Sequence, residues 1–328
     1  MKRIAVIGCG MSGITIANLM KNKYNVAVFE KSRGYSGRMS TNRTENFQFD
    51  HGAQYFSIKN KQFYNFMKPL LDNDIIKIWK RKHVQIKNNM IVSSKVFSIK
   101  EKNFIGVPSM SIIGRHLSKD INIHNNTLIT KLKNIKGAWY LYNQDIKFGP
   151  FDWLFLTIPP EQAYNILPAN ISFINEIKSI KMKSCFTLML GFKNKKKLSF
   201  DSAEVFDSKI NWICVDSSKP GRNNPFSLVI QSSNLWEDAN FKKAGSKVAK
   251  EMILNTSAIL NLNIDDYEYK KIHYWKYAIA EQNNNTKSFL DCSNQITACG
   301  DWCINSRVEY AFLSALNAFN TTEKILSN

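Results

Sequence analysis

The sequence predicts an α/β fold, in composite α+β form, and three observations near its start carry the prediction. Ile4-Ala5-Val6-Ile7 is an apolar run of strand length. It leads into Gly8-Cys9-Gly10-Met11-Ser12-Gly13, after which Ile14 to Met20 has apolar residues at helical spacing. Val26 to Phe29 is a second buried strand that ends on Glu30. Strand, glycine turn, helix, strand and acid fall in order within about thirty residues, as in a dinucleotide-binding βαβ unit. Gly8 serves the tight turn, Gly10 lets the backbone approach a pyrophosphate, and Gly13 lets helix and strand pack closely. The pyrophosphate would sit on the free N–H groups at the helix start, with a ribose hydroxyl on Glu30.

Two basic residues and an apolar run also suit a secretory signal. Here the run is cut by Gly8, Gly10 and Gly13, and no A-x-A-like exit follows. A length of 328 residues, 44% hydrophobic, suffices for one large or two moderate cores. The longest apolar stretches, FDWLFLTIPP and CFTLMLGF, are strand-sized, so no membrane span is expected. Cys9, Cys185, Cys214, Cys292, Cys299 and Cys303 show no zinc spacing, and the histidines do not cluster with them. They read as reduced thiols of a cytoplasmic protein, with no metal. The net charge of +19 is spread along a Lys-, Asn- and Ile-rich chain in short runs such as WKRKH and KNKKK. That pattern fits a solvated surface better than a nucleic-acid interface, and it would draw in small anionic substrates.

Beyond Glu30, the loop KSRGYSGRMSTNR and the aromatic stretch FQFDHGAQYFS lead to a helix over 61–72. IIKIWKRKHVQIK reads as an exposed strand with a turn at Asn88-Asn89, and GVPSMSIIGRHLSKD as a turn into a helix. Short segments from 121 to 149 suggest a β-meander. DWLFLTIPP is a buried strand stopped by Pro159-Pro160. Residues 183–192 and 226–232 read as strands and 240–260 as a helix, within a substrate-side layer over 161–275. QITACGDW is a strand leading into an amphipathic C-terminal helix.

Four stretches, VFEKSRGYSGRMST, FDHGAQYF, GVPSMSIIGRHL and CGDWCINSRVEYAFLSA, together resemble the bacterial renalase-like FAD-dependent oxidases of the amine-oxidase-like flavoprotein superfamily. The resemblance covers both ends and the middle of the chain. It implies a Rossmann-like FAD-binding domain (1–60, 101–160 and 276–328) and a discontinuous mixed-sheet substrate domain (61–100 and 161–275). It implies non-covalent FAD, held by Gly8, Gly10, Ser12 and Gly13 at the ADP turn and by Glu30, with Lys31 beside it. Gly37 and Arg38 match the second glycine motif, and Gln54 lies near the flavin. Gly300 and Asp301 match the second phosphate region, and Arg307 and Val308 the helix start facing the flavin pyrimidine edge. The chain departs from the pattern at Ser36, Ser109, Asn305, Ser306 and Tyr310, several of which replace glycines; asparagine tolerates left-handed backbone, which would suit Asn305.

The implied reaction is hydride transfer from 2- or 6-dihydro-NAD(P) to flavin N5, with O2 reoxidation to H2O2. Such chemistry asks the protein to orient the donor ring and exclude water, and no catalytic triad or paired carboxylate appears. Gln54, Tyr55, His273 and Trp275 are the candidate orienting wall, with Trp275 suited to stacking on a pyridine. His51 beside Asp50 reads as the neighbour of an aspartate cap rather than half of a dyad, and His83, His116 and His124 read as structural or exposed. The alternatives are another flavin amine oxidase or desaturase, or a flavin-binding protein with little turnover.

Overall fold

The computed structural model describes residues 1–223, 225–233, 245–281 and 286–327. The opening unit forms as read, with strand Arg3–Ile7, helix Met11–Met20 and strand Asn25–Phe29. The two strands pair in parallel, Val6 opposite Val28. They belong to a six-stranded sheet in the order 122–124, 25–29, 3–7, 153–156, 296–298, 289–291, whose last pairing is antiparallel. Both faces of its centre are covered, so Ile4 to Ile7 and Trp153 to Leu156 are continuous apolar runs rather than alternating ones. The strand Trp153–Leu156 ends before Pro159, and Pro160 opens helix Pro160–Ile166, where a missing N–H removes no helical bond.

Ile4, Val6 and Phe155 face the opening helix and the C-terminal helix Val308–Leu326, through Ile14, Ala17, Ala315 and Ala318. Ala5, Ile7 and Leu156 face the other way, onto Trp139, Leu141, Phe173 and Ile177. That second face also takes in residues from 161–180. Ala163, Leu167, Phe173 and Ile177 pack beneath the six-stranded sheet, because their helices (Pro160–Ile166 and Ile174–Ser179) follow directly from its fourth strand. The meander is a three-stranded antiparallel sheet of Lys131–Ile135, Ala138–Asn143 and Ile146–Phe151. Its expected first segment, Asn122–His124, instead forms the edge of the parallel sheet.

A second sheet has seven strands, in the order 269–280, 182–191, 227–232, 210–215, 202–205, 81–87, 90–97. One face packs on helix Gly245–Leu260 through Val84, Leu188, Ile213, Val248 and Met252. Residues 240–244 of the expected helix lie outside the described residues. The other face, with Met189, Cys214 and Val229, shares a core with Phe49, Phe63 and Phe312. The expected exposed strand near 75–87 is corrected here. It is two strands, Ile76–Ile78 and Arg81–Lys87, in different sheets, and Trp79, Arg81, Val84 and Ile86 are buried. A buried arginine among Lys80, Lys82 and Lys87, with Val84 and Ile86 buried on the opposite face, hides that burial from a reading of composition.

Glu309, in the first turn of the C-terminal helix, ties these layers together. Its carboxylate accepts the N–H groups of Lys59 and Asn60, both at 2.7 Å, and Asn60 in turn caps helix Lys61–Asp72. Glu309→Ala strips two backbone donors of a charged acceptor and is expected to cost about 2–3 kcal/mol. A fall in the urea midpoint, with Glu309→Gln retaining most of the wild-type value, checks this.

Candidate functional site

The first turn has the geometry that a diphosphate needs. Gly8 has φ +103°, and a Cβ on Gly13 would stand 1.9 Å from the Gly8 carbonyl oxygen, so strand and helix approach as only glycine permits. A Cβ on Gly10 would meet nothing within 4 Å. Gly10 caps the helix without a side-chain bond, and the first backbone bond runs from Ile14 N–H to the Gly10 carbonyl at 3.0 Å. The N–H groups of Met11, Ser12 and Gly13 therefore stand at an uncapped helix tip. Glu30 is buried beside it and accepts the N–H groups of Cys9 and Ser32, each at 2.8 Å. Those bonds fix the carboxylate and leave lone pairs for hydroxyls. Lys31 is exposed to solvent.

Ser12 is tied to the far end of the sequence. Its hydroxyl donates to the Ala311 carbonyl at 2.8 Å, so only its N–H serves the turn. That bond places a second helix tip beside the first. Arg307 caps the C-terminal helix without a side-chain bond, and the first backbone bond there is Ala311 N–H to the Arg307 carbonyl at 3.0 Å. Val308 is half-buried in that opening turn, and the Arg307 guanidinium lies 5.8 Å from the Tyr310 ring centre. Asn305 does not adopt left-handed backbone. The two tips are bridged further back. Arg38 forms a salt bridge with Asp301, which follows Gly300 just beyond strand Ile296–Ala298 of the six-stranded sheet, and donates to the Ala278 carbonyl at 2.9 Å. A Cβ on Gly37 would lie 3.2 Å from the Gly10 Cα, which packs the second glycine motif onto the first. Two uncapped tips, an open Gly10 and a fixed acid at the second strand's end fit an extended dinucleotide cofactor.

The candidate wall residues separate into two groups and a brace. Trp275 stacks on His51 at 5.3 Å and 20°, donates Nε1–H to the His51 carbonyl at 2.9 Å, and meets His273 edge-on at 4.3 Å. Tyr55 lies elsewhere, 6.0 Å from Trp212 and under the Arg81 guanidinium at 4.2 Å. One cross-strand row joins the groups, with His273 opposite Thr187, Thr187 opposite Gln231 and Gln231 opposite Trp212. Three strand spacings put the ends roughly 14 Å apart. Gln54 is the brace. It is buried, its amide donates to the Asp50 and Gly52 carbonyls, and its carbonyl accepts from Lys219 at 3.2 Å. A side chain bonded on both ends has little left to present to a ligand. Asp50 and His51 form no dyad, since the His51 Nε2 lies 3.3 Å from Ser40 Oγ and Asp50 points into an ion cluster.

That cluster escaped the sequence reading. Asp50, Asp216, Lys219 and Arg222 have fully buried side chains. Lys219 Nζ lies 2.5 Å from Asp216 and 3.3 Å from Asp50, and Arg222 pairs with Asp50. Burial works to raise the Asp50 carboxyl, but Lys219 and Arg222 hold it below its ordinary value. Burial pushes the Asp216 carboxyl up. The signal was Asp216-x-x-Lys219-x-x-Arg222 directly after the apolar strand Ile210–Val215, a spacing that folds the charges onto one side of a tight turn.

The profile of the NAD(P)-binding Rossmann-like domain matches residues 6–70. Among solved structures, a protein from Exiguobacterium sp. 255-15 designated protoporphyrinogen oxidase is similar at 10% identity and TM-score 0.80, over 100% of this chain and 99% of that one. The CLA-producing fatty acid isomerase from P. acnes matches at 10% identity and TM-score 0.75, over 98% of each chain. A putrescine oxidase variant redesigned in its cofactor binding matches at 11% identity and TM-score 0.72, over 100% of each. The fold is thus shared with these three proteins over nearly their whole length. Among the described residues, no helix is long and apolar enough to cross a membrane, and no group of three His, Cys, Asp or Glu is placed to hold a metal.

Burial, and then the neighbouring His273, lowers the His51 pKa from 6.5 to about 4. Because the folded value lies below the unfolded one, the contribution is complete above about pH 6.5 and is lost as pH falls toward 4. The loss from His51 approaches about 3 kcal/mol at the lower end. Thermal melts between these limits should therefore fall less steeply for His51→Gln than for the wild type.

Proposed function

We propose that this chain is an FAD-dependent oxidoreductase of the oxidase type, taking a hydride from 2- or 6-dihydro-NAD(P). The observation that carries the reading is the Ser12–Ala311 bond of 2.8 Å, which sets two uncapped helix tips side by side at opposite ends of the sequence. One tip serves a diphosphate, and the other serves a second site of negative charge on the same ligand. A nicotinamide cofactor alone has no use for the second tip. FAD, when bound, supplies a hydride acceptor at flavin N5 and passes the electrons to O2, giving H2O2. Glu30 would hold the adenosine ribose, and the N–H groups of Met11 to Gly13 the diphosphate. The N–H groups that open the C-terminal helix would face the flavin pyrimidine edge.

The rest of the site supports a donor that leaves as an aromatic cation. The pKa of His51 falls to about 4, and burial also lowers that of His273. Both imidazoles are thus neutral at neutral pH and do not repel a developing positive charge. Trp275, held by its bond to the His51 carbonyl, offers a fixed aromatic edge for orienting a pyridine ring. We place the boundary of the substrate domain after residue 180, with 1–60 and 101–180 counted with the C-terminal residues from 276 as the FAD-binding domain.

The test is an absorbance spectrum of the purified protein followed by anaerobic titration with 2- and 6-dihydro-NAD(P) and with amines. A yellow protein bleached by the dihydropyridines supports the proposal. Protein that stays colourless after soaking with FAD overturns the cofactor, and bleaching by amines alone overturns the substrate. Gly10→Ala, with open space at its Cβ, should keep the wild-type melting temperature of the apoprotein and lose FAD affinity about tenfold or more. Gly13→Ala, with its Cβ against the Gly8 carbonyl, should destabilise the apoprotein itself.

A further inference from the structure

Arg81 is 2% exposed, yet it forms no salt bridge with any described carboxylate. Its guanidinium is boxed by the rings of Tyr55 at 4.2 Å, Phe97 at 4.4 Å and Trp79 at 4.7 Å. Nε donates to Ser202 Oγ at 3.0 Å, and Nη1 is buried with no hydrogen-bond partner. Two more buried donors nearby have none either, Trp79 Nε1 and Trp212 Nε1. Trp212 reaches this box through Tyr55 and through His83, on which it stacks at 5.3 Å. Asp201, the acid just before Ser202, already accepts the Lys82 N–H at 2.8 Å.

The charge balance points the same way. Lys219 Nζ stands 5.6 Å over the Trp79 ring, so the ion cluster adjoins the box. Arg81, Lys219 and Arg222 are three buried cations against two buried carboxylates, Asp50 and Asp216. A water molecule could satisfy an orphaned N–H, but it would leave the excess positive charge uncompensated. An oxyanion meets both needs, and arginine's planar fork with two indole N–H groups is suited to one.

A histidine adjoins the set. Ser202 Oγ accepts from Arg81 Nε and lies 2.9 Å from His83 Nδ1, so one hydroxyl links the guanidinium to the imidazole. Tyr55, Phe97, His83 and Trp212 are half-buried while Arg81 and Trp79 are fully buried, so the cluster runs from the surface of the second sheet into its core.

We propose that Arg81, Trp79 and Trp212 form an oxyanion subsite that binds a carboxylate or phosphate group of the substrate. It lies at the Tyr55 end of the row that begins at His273. As a statement about the substrate of the proposed oxidoreductase it rests on that reading, but its test does not need turnover.

Calorimetric titration of the protein as isolated with nicotinate and with nicotinamide, which share size and shape but differ in charge, reads the subsite. Nicotinate is expected to bind at least tenfold more tightly. Arg81→Met should abolish that difference, and Arg81→Lys, which keeps the charge but loses the fork, should retain part of it. Trp212→Phe removes a single donor and leaves the cation, so it should weaken nicotinate a few-fold with nicotinamide unchanged, even where Arg81→Met fails to fold. Acetate and inorganic phosphate are then titrated as competitors, and the one that displaces nicotinate at the lower concentration identifies the anion's source. Equal binding of nicotinate and nicotinamide to the wild type, or nicotinate binding indifferent to Arg81 and Trp212, overturns the subsite. A colourless protein that still prefers nicotinate would overturn the flavin reading and leave the subsite standing.

Discussion

The Asp50 carboxylate is the fixed point on which the site depends. Wholly buried, it accepts from Thr41 Oγ1 at 2.7 Å, Met110 N–H at 3.0 Å and Lys219 at 3.3 Å, and it pairs with Arg222. Those partners come from a hairpin, the start of a helix and a turn of the second sheet. Removing one member of such a cluster leaves a buried charge without compensation, which costs more than the intact pair contributes. The four residues after Asp50 inherit its position. The His51 carbonyl takes Trp275, the Gly52 carbonyl takes Gln231, and Gln54 reaches Lys219. Ala53 N–H, meanwhile, bonds the Arg38 carbonyl at 2.9 Å. The short run 50–54 is thus held on one side by the second sheet and on the other by the glycine motifs. The distance between the helix tips and the aromatic wall follows from that.

Electrostatics divide the molecule in a way that the net charge of +19 conceals. Most of that charge is solvated, and pairs such as Lys68–Asp72, both half-exposed or more, contribute little. The cations that matter for a ligand are few and buried. They adjoin an aromatic wall whose two imidazoles are held neutral by burial. Buried positive charge therefore gathers at the helix tips and at the Arg81 box with its adjoining ion cluster, away from the two neutral imidazoles. A ligand with separated anionic ends and a neutral reacting ring suits that division better than a compact cation does.

The opening βαβ unit was legible because its constraints are local. Glycine spacing, a helical period and a terminal acid all fall within one short stretch, and each has a single steric or electrostatic cause. The C-terminal strand and helix were legible for the same reason. The second sheet was only partly so. Arg81 alternates correctly with His83, but a basic residue on a buried face defeats an apolar pattern, and the ring box that makes its burial tolerable comes from residues 55, 79 and 97. The ion cluster needs Asp50 and Arg222 together, 172 residues apart, which no window can see. Gln54 was expected near the flavin, but its bond to Lys219 is long-range, so its bracing role could not be read from FDHGAQYF. The order Asp216-x-x-Lys219-x-x-Arg222 was visible, but only its position at the end of an inner strand turns it from a surface pattern into a core.

The positions where the resembled family carries glycine show how this chain differs without losing its cradle. Ser36 sits at φ +95°, a backbone that disfavours any side chain, yet its hydroxyl donates to the Ser111 carbonyl at 3.2 Å. Gly114 supplies the room, since a Cβ there would stand 2.0 Å from Ser36 Oγ. Ser109 Oγ accepts from Arg43, Ser306 Oγ accepts the Ala280 N–H at 2.6 Å, and Tyr310 lies by Arg307. Ser36, Ser109, Ser306 and Tyr310 are thus taken up by contacts within the protein, while Asn305 is exposed. None of these contacts intrudes on the space above Gly10, which is open. The substitutions fall instead where they bear on the strap around 107–111 and on the turn before the C-terminal helix.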